Sequence, residues 1–159
     1  MRPGLLQLQS LPPLSLYVHL PWCIQKCPYC DFNSHAVNPT IAIHNASGSL
    51  TQQGSQQGLH ESRLQTSVQQ KYIAALLADL DAALPLIWGR SVHSIFIGGG
   101  TPSLFAPEHI AELLSQIRAR LRLTAEVEIT LEANPGTFER DRFKAFREAG
   151  VNRLSVGVQ

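Results

Sequence analysis

The fold of this chain is decided by the stretch Leu14-Ser15-Leu16-Tyr17-Val18-His19-Leu20-Pro21-Trp22-Cys23-Ile24-Gln25-Lys26-Cys27-Pro28-Tyr29-Cys30, in which a β-prone segment runs directly into a group of thiols. All 3 cysteines of the 159-residue chain lie in it. A secreted disulfide scaffold normally has an even and dispersed set of cysteines. We therefore expect free thiols and a reducing, cytoplasmic environment.

Composition narrows the class of protein further. The chain is 44% hydrophobic and only 16% charged, which indicates a globular protein rather than a disordered one. Its 13 Lys and Arg nearly balance its 12 Asp and Glu, so we expect no nucleic-acid partner. We expect no signal peptide, because the apolar run near the N-terminus is short and interrupted by polar residues and proline. We also expect no transmembrane segment, because no run of about 18 apolar residues occurs.

Hydrophobic periodicity predicts strands that alternate with helices. The predicted strands cover residues 14–19, 91–97, 126–133 and 153–159. The predicted helices are residues 68–84, a second helix with Pro107 near its first turn, and a third that Gly150 closes. Such βα units favour an α/β fold with a parallel sheet.

Two features of the organisation stand out. Residues 36–66 are rich in Gln, Ser, Gly and Asn, and we interpret them as a flexible low-complexity insertion within one domain, residues 1–159. The chain stops directly after the fourth predicted strand, with no helix to cover it. We therefore expect a truncated fragment, the N-terminal part of a larger domain.

The thiols of Cys23, Cys27 and Cys30 suit one soft-metal centre. Structural zinc usually takes four protein ligands, so a zinc site would need His19 or His35 as well. A disulfide would leave one thiol over. A [4Fe-4S] cluster held by three cysteines leaves its fourth iron open to an exogenous ligand, which is a reason for three thiols rather than four.

The spacing Cys23-x-x-x-Cys27-x-x-Cys30, together with Gly98-Gly99-Gly100-Thr101-Pro102 after the second predicted strand, resembles the radical S-adenosylmethionine (radical SAM) family. The resemblance implies a partial (βα) barrel with parallel strands. It also implies that the open iron chelates the amino and carboxylate groups of SAM, and that an electron from the cluster cleaves SAM to a 5′-deoxyadenosyl radical.

Four further segments narrow the resemblance to the oxygen-independent coproporphyrinogen III oxidase group, and within it most to the HemW branch of haem chaperones. They are residues 17–23, Cys30-Asp31-Phe32, residues 131–136 and residues 153–159. The resemblance implies that SAM contacts Tyr17, Tyr29, Gly99, Gly100, Thr101, Glu132 and Gln159. Without it, the tyrosines read as packing aromatics, Glu132 as a carboxylate satisfied by nearby amides, and Gln159 as a frayed last residue.

The resemblance leaves open whether the protein is an enzyme. The oxidases of this group carry a fourth cysteine where this chain has Phe32, which favours a chaperone that binds haem and passes it to a recipient haemoprotein. The alternative is oxidative decarboxylation of coproporphyrinogen, by a coproporphyrinogen dehydrogenase-like oxidoreductase of porphyrin biosynthesis. Either role requires an electron donor. Four histidines are weak candidates for axial haem ligands: His19, His35, His44 and His60.

Overall fold

The computed structural model describes residues 10–23, 25–37, 66–134 and 140–157. The strands are β1 (Leu14–Leu20), β2 (Trp22–Cys23), β3 (His35–Ala36), β4 (Val92–Gly99), β5 (Leu123–Ala133) and β6 (Arg153–Val156). The helices are α1 (Thr66–Ala83), α2 (Pro107–Arg120) and α3 (Arg140–Ala149). Short 3-10 turns follow α1 at Leu84–Leu86 and β4 at Pro102–Leu104.

A parallel sheet with the strand order β1-β4-β5-β6 forms the centre of the fold. This confirms the predicted α/β class with βα units. The strand boundaries differ most at two places: β5 already begins at Leu123, and β6 ends at Val156, before the predicted end at Gln159. A second small sheet pairs β2 with β3 in parallel and was not predicted, because two-residue strands have no detectable period.

The two faces of the main sheet differ in character. The alternate residues Val18, Ile97 and Leu131 face a hydrophobic core to which all three helices contribute. The opposite face is polar: Ser94 bonds Ser15 across β1 and β4, and further residues on this face are Tyr17, Phe96, Thr130 and Arg153. A parallel sheet normally has apolar side chains on both faces, so one polar face departs from the pattern of a doubly wound fold.

Two of the predicted signals at helix ends are confirmed. Pro107 occupies the first turn of α2, where its missing N–H costs no hydrogen bond. Gly150 closes α3 with φ of 110°, and the N–H of Val151 reaches back to the carbonyl of Phe146 at 3.0 Å. This turn delivers the chain from α3 into β6.

The predicted insertion, residues 36–66, falls largely outside the described residues, which resume at Thr66. Its interpretation as a flexible segment stays a prediction. Within the described ranges, no helix is both long enough and apolar enough to cross a membrane.

Candidate functional site

The candidate site lies where the parallel strands of the main sheet end. The chain leaves β1 towards the cysteine loop, β4 ends within the glycine triplet at Gly99, and β5 ends at Ala133, directly after Glu132. Because carboxyl ends of parallel strands meet at one edge, side chains and backbone amides from distant parts of the sequence collect there. Function in parallel α/β folds concentrates at this edge.

The cysteine loop begins and ends at the small β2–β3 sheet. The N–H of His35 donates to the carbonyl of Pro21 at 2.7 Å, and the N–H of Val37 donates to the carbonyl of Cys23 at 2.8 Å. These bonds fix the base of the loop beside the end of β1. Cys23 is buried at this base, whereas Cys27 and Cys30 are partly exposed.

A tight turn brings the second and third cysteines together, since the N–H of Cys30 donates to the carbonyl of Cys27 at 3.0 Å. The Ser34 hydroxyl lies 3.5 Å from Cys30 Sγ. This contact, a backbone bond at Phe32 and the charge of Lys26 lower the pKa of the Cys30 thiol. At Cys30 the loop therefore favours the thiolate, which is the form that binds metal.

Tyr29 lies on the same turn and is 75% exposed. A hydrogen bond with the Cys27 side chain, followed by the charges of the two nearby thiols, raises the pKa of its phenol. Tyr29 is therefore not a packing aromatic of the core. Its ring lies beside the cysteines on the solvent side of the loop.

All three thiols are free. Among the residues that the structure describes, no three His, Cys, Asp or Glu side chains are close enough to hold a metal ion. The predicted convergence of the three thiols is therefore not seen in this arrangement and stays a prediction. Three thiolates repel one another without a cation, and metal sites are commonly completed only by the metal. The donor set itself, three soft sulfur ligands on one anchored loop, fits an iron–sulfur cluster.

The glycine triplet packs its backbone directly against the base of the cysteine loop. The N–H of Gly100 donates to the carbonyl of Leu20 at 2.8 Å, and the N–H of Thr101 donates to the carbonyl of Trp22 at 2.7 Å. A Cβ at Gly100 would lie 2.6 Å from the Trp22 oxygen. Glycine is required here because any side chain would separate the two segments.

Glu132 lies across from the same triplet. Its Oε2 accepts a hydrogen bond of 3.0 Å from the N–H of Gly99. A Cβ at Gly98 would lie 3.0 Å from that oxygen and 2.7 Å from the Phe96 ring. Glu132 therefore accepts the backbone hydrogen bond that is expected of a carboxylate at the end of a strand. It also fixes a negative charge at the edge where the strands end.

Tyr17 joins this edge through a hydrogen-bonded chain. Its hydroxyl lies 2.9 Å from His19 Nδ1, and His19 Nε2 lies 2.8 Å from the carbonyl oxygen of Asn33. A carbonyl only accepts, so Nε2 donates to Asn33 and Nδ1 accepts from the tyrosine. Partial burial, and secondarily the charge of Glu132, raise the pKa of the Tyr17 phenol. With 55% exposure and stacking on Phe96, Tyr17 belongs to the polar face rather than to the core.

The same contacts bear on the candidate haem and zinc ligands. Both ring nitrogens of His19 are engaged, so either ligand role would cost a hydrogen bond. His35 is exposed within β3. His44, His60 and Gln159 lie outside the described residues.

Three polar residues that sequence reasoning missed support the site. Ser34 contacts Cys30, and two others hold the turn after the glycine triplet: Gln69 from α1 and Arg142 from α3. Gln69 is only 3% exposed, and it lies one turn before Ile73 on the apolar stripe of α1. The position of Gln69 within an apolar stripe was the sequence signal that could have identified it as a buried polar residue. Nothing local in the sequence marks Arg142.

Comparison with known proteins agrees with this geometry. A sequence profile of the Radical SAM superfamily matches residues 17–159. The chain therefore belongs to the radical SAM superfamily. The solved structure of coproporphyrinogen III oxidase (HemN) from Escherichia coli, described as a radical SAM enzyme, matches with a TM-score of 0.68 and 30% identity. The match covers 92% of this chain and 28% of that one, which confirms the predicted fold.

Particular relatives are more similar in sequence. The heme chaperone HemW of Escherichia coli (strain K12) is 49% identical over 150 residues, covering 94% of this chain and 33% of that protein. HemW of Haemophilus influenzae is 48% identical over 154 residues, with the same coverage of 94% and 33%. Radical S-adenosyl methionine domain-containing protein 1, mitochondrial, of Bos taurus is 36% identical over 145 residues, covering 91% and 27%. The chain thus spans about a third of the length of the HemW proteins it matches.

Proposed function

We propose that this chain is the cluster- and SAM-binding part of a haem chaperone of the HemW type. One observation carries the proposal. The loop with three free thiols is fastened by backbone hydrogen bonds to the strand edge that holds the glycine triplet and Glu132. Two segments that a radical SAM protein needs side by side are therefore adjacent, although about 70 residues separate them in sequence.

In this proposal the cluster ligands are Cys23, Cys27 and Cys30. The SAM contacts are Tyr17, Tyr29, Gly99, Gly100, Thr101, Glu132 and Gln159. The donor types support these assignments: soft thiolates suit iron, and a fixed carboxylate can accept hydrogen bonds from hydroxyls or pair with a cationic group. When bound, the cluster and SAM supply one-electron chemistry.

The chain's own residues supply binding and orientation. The base of the loop keeps Cys23 beside the end of β1, and the lowered pKa of Cys30 favours its thiolate relative to an ordinary cysteine. The hydrogen bond from the Gly99 N–H orients the Glu132 carboxylate at the edge of the pocket before a ligand arrives. The His19 chain orients the phenol of Tyr17 towards the same edge.

Anaerobic reconstitution of the full-length protein with iron and sulfide tests the cluster. We expect about four iron and four sulfide per chain and the absorption of a [4Fe-4S] protein. Cys27→Ala is expected to lose the cluster while the sheet stays folded, because Cys27 lies in the loop outside the core. Zinc without iron in the wild type would favour the Cys3His reading and contradict this proposal.

The chaperone role is supported by two observations. The HemW relatives at 49% and 48% identity are closer in sequence than the oxidase at 30%. Phe32 also occupies the position where the resemblance expects a fourth cysteine in the oxidases. Oxidative decarboxylation of coproporphyrinogen is the alternative, since the fold is shared with HemN.

Two assays divide these roles. The full-length protein is expected to bind haem and transfer it to an apo-haemoprotein, and to leave coproporphyrinogen unchanged in the presence of SAM and a reductant. Decarboxylation without haem transfer would contradict the chaperone role. An electron donor and a recipient haemoprotein are the further partners that we propose, and the reduced thiols favour a cytoplasmic location.

A further inference from the structure

Arg142, on α3, binds the turn that follows the glycine triplet. Its Nε and Nη2 donate to the carbonyl of Ser103 at 3.1 and 2.9 Å. Nη2 also donates to the carbonyls of Leu104 and Phe105 at 3.2 and 3.0 Å. One guanidinium therefore serves three consecutive carbonyls. The guanidinium carbon Cζ lies 5.7 Å from the centre of the Phe146 ring, over whose face the side chain makes a cation–π contact.

These carbonyls belong to the last two residues of the 3-10 turn Pro102–Leu104 and to Phe105, which follows it. The last carbonyls of a helical turn have no partner within it, and their dipoles concentrate negative charge there. A planar guanidinium suits this arrangement because it presents several donors in fixed directions. Lysine, a point charge on a flexible stem, would not reproduce the same contacts.

The turn is also connected to the candidate ligand pocket. The N–H of Leu104 donates to the carbonyl of Thr101 at 2.9 Å, and Thr101 in turn donates to Trp22 at 2.7 Å. Phe105 is fully buried, and its ring centre lies 5.6 Å from that of Trp22. The position of the turn therefore determines the position of the Gly98–Thr101 backbone relative to the cysteine loop.

A second residue binds the chain just after the turn. Gln69 of α1 is buried and accepts a hydrogen bond of 2.9 Å from the N–H of Ala106. Both α1 and α3 thus contact the C-terminal side of the turn. Of these two contacts, that of Arg142 involves more hydrogen bonds and reaches closer to Thr101.

We propose that Arg142 is a positioning residue for the SAM pocket: it fixes the turn that sets the Gly98–Thr101 backbone against the base of the cysteine loop. This inference rests on the proposed function, because it assumes that this backbone binds SAM. Arg142 itself would not touch the ligand. Its removal is therefore expected to weaken SAM binding and to spare cluster assembly.

The test uses the full-length protein with its cluster reconstituted, and compares Arg142→Lys with the wild type. Arg147→Lys is the matched control, because Arg147 lies exposed on the same helix. We expect the Kd for SAM, measured by calorimetry, to rise by about tenfold or more in Arg142→Lys, since several hydrogen bonds are lost. Iron and sulfide content should match the wild type, and Arg147→Lys should bind SAM normally.

A purely structural role would have a different signature, namely a lower unfolding midpoint with an unchanged Kd for SAM. That result would overturn the inference. If Arg142→Lys does not fold, amide hydrogen exchange of the wild-type protein, measured with and without SAM, tests the inference instead. SAM is expected to slow exchange of the Leu104 and Phe105 amides, and unchanged exchange there would overturn the inference as well. A wild type that loads its cluster but does not bind SAM would instead defeat the proposed function.

Discussion

The backbone N–H of Gly99 donates a 3.0 Å hydrogen bond to Oε2 of Glu132 and so ties together the carboxyl ends of β4 and β5. This bond joins two segments that the sequence presents separately, the glycine triplet and the end of the third predicted strand. It places a carboxylate directly beside a backbone that lacks side chains. The candidate SAM site is organised around this pair.

Replacement of Glu132 tests the role of this carboxylate. Glu132→Gln keeps an oxygen to accept the Gly99 N–H but loses the charge, so we expect weaker SAM binding, by about tenfold, with little loss of stability. Glu132→Ala also leaves the Gly99 amide without its acceptor, and should in addition lower the free energy of unfolding by about 1–3 kcal/mol. Calorimetry and urea unfolding measure the two effects. Glu126 is exposed on the same strand, so Glu126→Gln is the control. Wild-type SAM affinity in Glu132→Gln would refute the assignment of Glu132 as a SAM contact.

Two glycine substitutions distinguish the effect of a steric clash from the effect of backbone strain. A Cβ at Gly100 meets the Trp22 carbonyl at 2.6 Å, so Gly100→Ala should destabilise the fold by about 1–3 kcal/mol and displace the cysteine loop. Gly89 has φ of 72° with nothing within 4 Å of an added Cβ, so Gly89→Ala should cost about 1 kcal/mol and leave SAM binding intact. Chemical unfolding and SAM titration check both. Equal SAM affinity in the two variants would contradict the close packing of the triplet.

The Cys30 thiol is expected to react at lower pH than an ordinary cysteine in the cluster-free protein. Its pKa is lowered chiefly by the Ser34 hydroxyl, so the thiolate is populated at lower pH than in an unfolded chain. Ser34→Ala should shift the profile of Cys30 alkylation against pH towards higher pH. Peptide mapping by mass spectrometry follows Cys30 separately. Ser15→Ala is the control, and a profile that Ser34→Ala leaves unmoved would disprove this cause.

Asn152 is expected to fasten β6 to the sheet. Its Oδ1 accepts from the Ile129 N–H at 2.7 Å, and its Nδ2 donates to the Val127 carbonyl at 2.9 Å. Asn152→Ala removes both bonds and should cost about 1–3 kcal/mol of stability. Asn152→Asp retains an acceptor for Ile129 and should lose less. The order of the two variants in urea unfolding checks this explanation, which fails if Asp is the worse substitution.

Sequence reasoning predicted the elements well where several physical signals agree. Alternation in β1 and the caps of α2 and α3 indicated the right structures, because propensity, periodicity and packing agree there. The same alternation also distinguished Tyr17 and His19 from Val18 and Leu20. This alternation in β1 thus indicated a sheet with one polar face. The absence of a helix after the fourth predicted strand was interpreted only as a sign of truncation.

The remaining features depend on contacts between distant residues. Arg142 reaches carbonyls 37–39 residues away, and the β2–β3 pairing depends on how the cysteine loop closes. Neither contact produces a periodic pattern of residues that could be detected in the sequence. The predicted convergence of the three thiols depends on a metal that compensates their charge, so neither the sequence pattern nor the folded chain alone determines it.

The most direct test of the central claim is electron paramagnetic resonance of the reconstituted, reduced full-length protein, recorded with and without SAM. We predict a [4Fe-4S] signal that requires Cys23, Cys27 and Cys30, and whose g values shift when SAM binds to the open iron. A cluster signal that SAM leaves unchanged, or no cluster signal after reconstitution, would contradict the assignment of this strand edge as a cluster and SAM site.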